Sequence, residues 1–209
     1  MPGFEIDAYD LGWILGTPDE PDDRCLHGHA VAVIGGERFE YDCTVSATAL
    51  MLLKSLTEDH IAGEGEQMLP CCGHFLVADE GCENVYISGC GNGVDWTVRH
   101  ENGAVRLITP TGHEVVLPLA EYSAAVCRFA DKVAAYYAAC SPKTEPTDDF
   151  DRRGWLAFRR EWSRRRQAAP GGRPTAAGAC LRPCSTVRFA KTCNRKAGEL
   201  SPCADKTVI

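Results

Sequence analysis

The sequence predicts an α+β protein in which an antiparallel β-meander sheet packs with about three helices and a disordered C-terminal tail follows. Three observations predict this class. Short segments of strand character succeed one another between residues 74 and 119, with glycine-containing turns between them. Apolar residues recur at helical spacing in three other segments. The residues after 167 show no apolar period.

The first predicted strands and the first helix lie before residue 60. The segment "LGWILG", residues 11–16, predicts a short strand, and the Pro- and Asp-rich "GTPDEPDDR" predicts a turn. Residues 29–45, "HAVAVIGGERFEYDCTV", predict two strands around Gly35 and Gly36, because adjacent glycines can take the positive φ angles of a tight hairpin. Five apolar residues spaced three or four apart predict a helix from about Ser46 to about Asp59: Val45, Ala49, Leu52, Leu53 and Leu56.

The middle of the chain predicts the meander. The segments "HFLVA", "NVYIS", "VDWTVRH", "AVRLITP" and "HEVVLPL" all have strand character. Three turn pairs separate the later segments: Asn92-Gly93, Asn102-Gly103 and Thr111-Gly112. Asn-Gly is one of the strongest short-range hairpin signals, so we expect consecutive strands to pair.

Two further helices complete the predicted domain. An apolar stripe from Tyr122 to Tyr136 or Tyr137 predicts a helix from about Leu119 to about Cys140. The aromatic stripe of Trp155, Phe158 and Trp162 predicts a last helix that ends in three arginines. We therefore expect residues 1–167 to form a single globular α+β domain. Residues 168–209 are a low-complexity basic tail, which we expect to be disordered and dispensable for folding.

Features of the sequence indicate the cellular compartment in which the protein is expected. The start, "MPGFEIDAYD", holds three acidic residues and no basic one, unlike a secretory signal. The most apolar window, "VSATALMLLKSL", is too short to cross a bilayer, which needs about 20 apolar residues. These features predict a soluble cytoplasmic protein without a membrane partner. Its 12 cysteines are then expected to be reduced thiols.

Charge is distributed unevenly along the chain. Residues 1–151 contain 8 basic and 26 acidic residues, a net charge of −18, whereas residues 152–166 contain seven arginines and a single acid, Glu161. Arginines interleaved with aromatic residues are typical of nucleic-acid binding. The acidic body would repel phosphate and offers the arginines an intramolecular partner. We therefore expect the last helix to dock onto the body, and we do not expect a nucleic-acid partner.

The stretch "MLPCCGHFLVADEGCENVYISGCGNGVDW", residues 68–96, concentrates the residues that could carry chemistry. Its candidate zinc ligands are Cys71, Cys72, His74 and Cys90, joined by the upstream His27. No C-x2-C pair occurs in the chain, so these residues do not match a zinc signature. The interpretation that we favour is that the cysteines are packing groups at strand ends and that no cofactor is bound.

The same stretch supplies candidates for catalysis and for partner binding. Cys72 could act as a nucleophile, with His74, His27 or His100 as its base and Asp95 orienting the base. No family signature surrounds these residues, and the nearby glycines do not fit the spacing of a phosphate-binding loop. Asp95 and Trp96 together are candidate partner contacts. The interpretation that we favour places Trp96 in the core and Asp95 on the surface beside a turn.

Two functions from different classes follow from these observations. The first is an acidic binding protein whose partner is a basic protein, as bacterial immunity proteins bind nuclease toxins, since opposite fields speed association. The second is a thiol- or zinc-dependent enzyme, or a structural zinc protein, centred on Cys71, Cys72 and His74. The first hypothesis is preferred because no convincing catalytic set is present. The sequence leaves the oligomeric state open.

Overall fold

The computed structural model describes residues 2–169. The described chain contains three helices and several antiparallel sheets, which confirms the predicted α+β class. The predicted tail, residues 168–209, lies outside the described residues apart from its first two. Among the described helices, none combines the length and apolarity that a membrane crossing requires.

The first sheet contains three antiparallel strands in the order β1-β2-β3, namely β1 (Phe4–Gly12), β2 (His27–Ile34) and β3 (Glu37–Thr44). Gly35 and Gly36 join β2 to β3 with φ angles of +58° and +90°, which confirms the predicted hairpin. Residues with a Cβ rarely adopt two consecutive positive φ angles, so this turn depends on its glycines.

The strand predicted at residues 11–16 is wrong in position. The acidic segment before it forms β1 instead, and that strand ends at Gly12. Phe4 and Ala8 are buried on one face of the strand, whereas Glu5 and Asp7 alternate with them on the other face, Glu5 exposed and Asp7 half-buried. Trp13 lies beyond the strand in a turn, where its carbonyl accepts the N–H of Gly16 at 2.8 Å.

Helix α1 (Val45–Lys54) directly follows β3 and ends five residues before the predicted Asp59. The chain leaves the helix because later residues are bound elsewhere. The Asp59 carboxylate accepts the backbone N–H of His100 at 2.9 Å and its ring Nδ1–H at 2.8 Å. His60 exchanges two backbone hydrogen bonds with Val98.

The predicted meander is divided among three sheets. The short strands β4 (Leu69–Pro70) and β7 (Gly93–Val94) pair with each other, and β5 (Phe75–Ala78) forms a separate hairpin with β6 (Val85–Ser88). Gly93 is therefore a strand residue and not a hairpin turn. A Cβ on Gly93 would lie 2.3 Å from the Leu69 carbonyl oxygen, so the pairing with β4 requires glycine there.

A true meander follows. Strands β8 (Thr97–Glu101), β9 (Ala104–Ile108) and β10 (Glu114–Pro118) pair in the order β10-β9-β8. Asn102 and Gly103 connect β8 to β9 with φ angles of +45° and +83°, so this Asn-Gly hairpin is confirmed.

Two long helices cover the sheets. Helix α2 (Leu119–Ala139) lies within one residue of its predicted bounds, and α3 (Asp149–Ala168) carries the predicted aromatic stripe. The Asp148 side chain caps α3 by accepting the N–H groups of Phe150 and Asp151. The three aromatic residues of the stripe are buried in the common core: Trp155, Phe158 and Trp162.

Close backbone contact joins α3 to the β5–β6 hairpin. A Cβ added to Gly154 would lie 2.0 Å from the carbonyl oxygen of Leu76 in β5. Glycine costs a helix interior about 1 kcal/mol relative to alanine. Its presence in α3 is explained by this contact, since any side chain would force the helix away from the hairpin.

We predict that Gly154→Ala destabilises the domain by about 2 kcal/mol despite the better helix propensity of alanine, because the new methyl group overpacks against a backbone atom. Urea denaturation followed by circular dichroism measures the effect. Gln167→Ala, at an exposed position of the same helix, is the control and should be nearly neutral. A Gly154→Ala variant as stable as the parent would contradict the contact.

We predict that Trp162→Ala costs about 3–5 kcal/mol, the usual range for emptying a buried tryptophan site. The Trp162 side chain is only 3% exposed and contacts the ring of Phe158, with ring centroids 5.7 Å apart. The same urea titration measures this loss. A neutral effect would mean that the aromatic stripe does not hold α3 to the domain.

Candidate functional site

The arginines of α3 are engaged within the domain. Five of the seven pair with carboxylates, and the other two donate to main-chain carbonyls or an amide oxygen of the β5–β6 loop. The ion pairs are Arg152–Asp149, Arg159–Glu145, Arg160–Glu83, Arg165–Glu58 with Arg165–Glu161, and Arg166–Asp131. The helix docks on the acidic body, as predicted.

The β5–β6 hairpin presents an apolar surface to solvent. Its inner face buries Val85 and Ile87, whereas on its outer face Val77 is cross-strand partner to Tyr86. Phe150, at the start of α3, approaches Phe75 with 6.0 Å between ring centroids. We call the four outer residues the aromatic patch, and their exposed fractions are 64% for Phe75, 37% for Val77, 56% for Tyr86 and 45% for Phe150.

An acidic cavity of about 290 Å³ adjoins the aromatic patch. Phe75 belongs to its lining, as do three carboxylates: Asp22, Asp23 and Asp151. The Asp23 carboxylate is fixed, since it accepts the N–H groups of Ile14 and Cys25, each at 2.9 Å. Asp22 and Asp151 are exposed.

The remaining residues that line the acidic cavity do not offset the negative charge of its three carboxylates. Arg24 is the cation in the lining, and its guanidinium donates to the Thr144 carbonyl at 3.3 Å. His74 and Trp155 complete the polar and aromatic part of the wall. The cavity thus combines an apolar wall with an excess of carboxylates.

Three candidate cysteines form a thiol cluster where β4 meets β7: Cys71, Cys72 and Cys90. Beyond the paired strands, the Cys71 N–H donates to the Asn92 carbonyl at 2.9 Å. The backbone of Gly89 lies so close to Cys72 that a Cβ there would be 2.6 Å from the Cys72 carbonyl oxygen. The Cys90 thiol contacts the thiols of both other cysteines.

The thiols of this cluster differ in acidity. The backbone N–H of Asn92, followed by the thiols of Cys72 and Cys71, lowers the pKa of Cys90. The hydrogen bond with Cys90 is the largest cause that raises the pKa of each of the other two thiols, and burial adds to it. Cys90 is also the exposed member, so its solvent access and its lowered pKa both favour it as the most reactive thiol of the three.

The candidate histidines lie beside the cluster without completing a metal site. The rings of His27 and His74 are 5.2 Å apart, and burial, with the nearby His74, lowers the pKa of His27. His27 and Cys71 line one cavity of about 310 Å³, whereas His74 lines the acidic cavity. Between residues 2 and 169, no group of three or more His, Cys, Asp or Glu side chains is arranged to hold a metal ion.

The hydrogen bonds of the Asp95 carboxylate hold neighbouring backbone in place. Its carboxylate accepts hydrogen bonds from His60 Nε2 at 2.7 Å and from the N–H groups of Gly63, Met68 and Trp96 at 3.0–3.1 Å. Its contacts therefore fix the loop between α1 and β4, and they do not include His74 or Cys72 within the described chain.

Trp96, the other candidate partner contact, is fully buried. Its ring lies 6.2 Å from the ring of Phe4 in the core. A side chain in this position cannot meet a partner at the surface.

The aromatic patch was not found from the sequence. "HFLVA" and "NVYIS" are apolar at positions that face both sides of a strand, a pattern usual for a strand covered on both faces. The tertiary structure covers only one face of this hairpin. The signal in the sequence was one aromatic residue in each of two short neighbouring segments, Phe75 in the first and Tyr86 in the second.

Comparisons with known proteins found no match. The chain matches no protein-family model, no curated protein and no solved structure. The function is therefore inferred from the contacts of this chain alone.

We predict that iodoacetamide at neutral pH alkylates Cys90 at least about 100-fold faster than Cys25 or Cys43. Burial raises the pKa of Cys25 to about 12 and that of Cys43 to about 11, so their thiolates are scarce at neutral pH. Mass spectrometry of proteolytic peptides measures the three rates. In urea-denatured protein the difference should vanish, and similar rates in the native protein would contradict the assignment.

Proposed function

We propose that this protein is an immunity-like inhibitor that acts in the cytoplasm by binding a basic protein through the aromatic patch and the adjacent acidic cavity. The observation that carries the proposal is the combination of four exposed apolar side chains with a carboxylate-lined cavity beside Phe75. Interfaces between proteins commonly have an apolar centre with aromatic anchors and a polar rim.

The patch is held on a rigid support. Gly154 lets α3 contact the β5 backbone directly, and the buried Trp155 lines the acidic cavity together with Phe75 of β5. A pre-ordered surface loses little conformational entropy on binding, so its buried area contributes more fully to affinity. The exposure of Phe75 and Tyr86 in this supported position is then explained by a partner that covers them.

Charge indicates the chemistry of that partner. Residues 1–151 have a net charge of −18, and the arginines of α3 are occupied by internal contacts. A basic protein would be attracted over long distances and would associate faster at low salt. Five of these arginines already pair with carboxylates of the same chain, which favours a protein partner over a nucleic acid.

The acidic cavity suggests how the partner is anchored. Asp22 and Asp151 can pair with a Lys or Arg side chain that enters beside Phe75. A cation is removed from water at low cost only where carboxylates replace its hydration. The aromatic ring beside them would cover the aliphatic part of the same side chain.

The proposal predicts that a gene next to the one for this protein encodes a basic, growth-arresting protein. Expression of each neighbouring reading frame alone and together with this protein measures growth arrest and rescue. Rescue by the intact protein is expected. The proposal fails if no neighbouring product is both toxic and neutralised by this protein.

The surface is tested with the same pair of proteins. Phe75→Ala with Tyr86→Ala should weaken binding by about 30-fold or more, because the loss of even one aromatic anchor at an interface costs about 2 kcal/mol or more. Tyr9→Ala is the matched control, since Tyr9 is 53% exposed, close to the 56% of Tyr86, but lies on β1. Calorimetry measures both affinities.

Variants that remove negative charge distinguish long-range electrostatic attraction of the partner from the contacts made by the aromatic patch. Asp22→Asn with Asp151→Asn should slow association and reduce its dependence on salt, as measured by stopped-flow fluorescence. Equal binding by the parent and by the aromatic double variant would place the interface elsewhere on the protein.

A further inference from the structure

The thiol cluster lies at the open end of the β5–β6 hairpin. Phe75 and Ser88 form the last cross-strand pair at that end. Cys72 precedes Phe75 by three residues, and Cys90 follows Ser88 by two. The two cysteines therefore face each other across the point where the hairpin strands separate, and the Cys90 backbone N–H donates to the Cys72 sulfur.

We propose that Cys90 and Cys72 form a reversible disulfide when Cys90 is oxidised by a hydroperoxide, and that this bond closes the open end of the hairpin. This modification site is independent of any protein partner. Both cysteines are free thiols in the structure.

Cys90 is the thiol that an oxidant reaches first. It is exposed, whereas Cys71 and Cys72 are half-buried. Its sulfur also accepts a hydrogen bond from Asn92 Nδ2 at 3.6 Å, which orients the side chain in the turn. A thiolate with hydrogen-bond donors and solvent access is the usual target of peroxide.

Cys72 is the thiol that resolves the oxidised sulfur. It touches Cys90 both through its sulfur and through the close backbone of Gly89, which has no side chain to separate the two loops. Cys71 also contacts Cys90, but its sulfur hydrogen-bonds to the Tyr41 hydroxyl and its N–H is held by Asn92. The neighbour whose sulfur and backbone both contact the Cys90 loop is therefore Cys72.

The chemistry requires one hydroperoxide for each disulfide. The Cys90 thiolate attacks the outer oxygen, so an S–O bond forms, the O–O bond breaks and the alkoxide or hydroxide leaves. The Cys72 sulfur then attacks the sulfenic acid of Cys90. The S–S bond forms as the S–O bond breaks, and water carries away the hydroxyl group with the Cys72 proton.

The new bond would restrict the hairpin. It would close a loop that contains all of β5 and β6, and a cross-link of this kind reduces the freedom of the opened chain. A two-stranded hairpin has little stability of its own. Oxidation is therefore expected to slow amide exchange in both strands.

The test uses the intact protein, hydrogen peroxide and a glutamate-specific protease. Cleavage after Glu66, Glu80, Glu83 and Glu101 separates peptide 67–80, which contains Cys71 and Cys72, from peptide 84–101, which contains Cys90. The expected product is these two peptides joined with the loss of two hydrogens, and dithiothreitol should release them.

Single variants assign the bond. Cys72→Ser should abolish the cross-link and let a cyclic diketone probe capture the sulfenic acid on Cys90. Cys71→Ser should form the cross-link as the parent does, which makes it the matched control. The proposal is overturned if no cross-link forms, if Cys72→Ser retains it, or if the product joins Cys71 to Cys72.

Discussion

The fully buried carboxylate of Glu161 is the contact on which the arrangement of this protein depends. From α3, it accepts the backbone N–H of Val85 in β6 at 2.7 Å and the Nε–H of Arg165 at 2.7 Å. The ammonium group of Lys54 in α1 lies 3.4 Å away and donates to the Val85 carbonyl. A buried carboxylate is tolerated only with such partners, so the helix and hairpin can pack in few other ways.

This constraint determines what the surface presents. The Glu161 carboxylate accepts a backbone N–H of β6, and Gly154 allows the same helix to contact the backbone of β5. The hairpin is therefore fixed along both strands. Its aromatic side chains are consequently held outward in a defined position. The arginines beside Glu161 pair with carboxylates of the body, and the acidic cavity next to Phe75 keeps an excess of carboxylates.

Only part of the candidate site was predictable from the sequence. The clustering of Cys71, Cys72 and Cys90 followed from their position in one turn-rich stretch, but their mutual contact depends on the pairing of β4 with β7. The role of Asp95 was not predictable, because its partner His60 lies 35 residues away. Which of two apolar faces stays exposed in the β5–β6 hairpin is decided by α3, far along the chain.

The sequence by itself determined the α+β class, the bounds of α2 and the turns at Gly35-Gly36 and Asn102-Gly103, because helical periodicity and positive φ angles are local properties. Only the tertiary structure decided where α1 ends and how the predicted meander divides into separate sheets. Those outcomes depend on hydrogen bonds between distant residues, such as Asp59 with His100. Local spacing carries no information about such pairs, since their energy appears only when the chain brings them together.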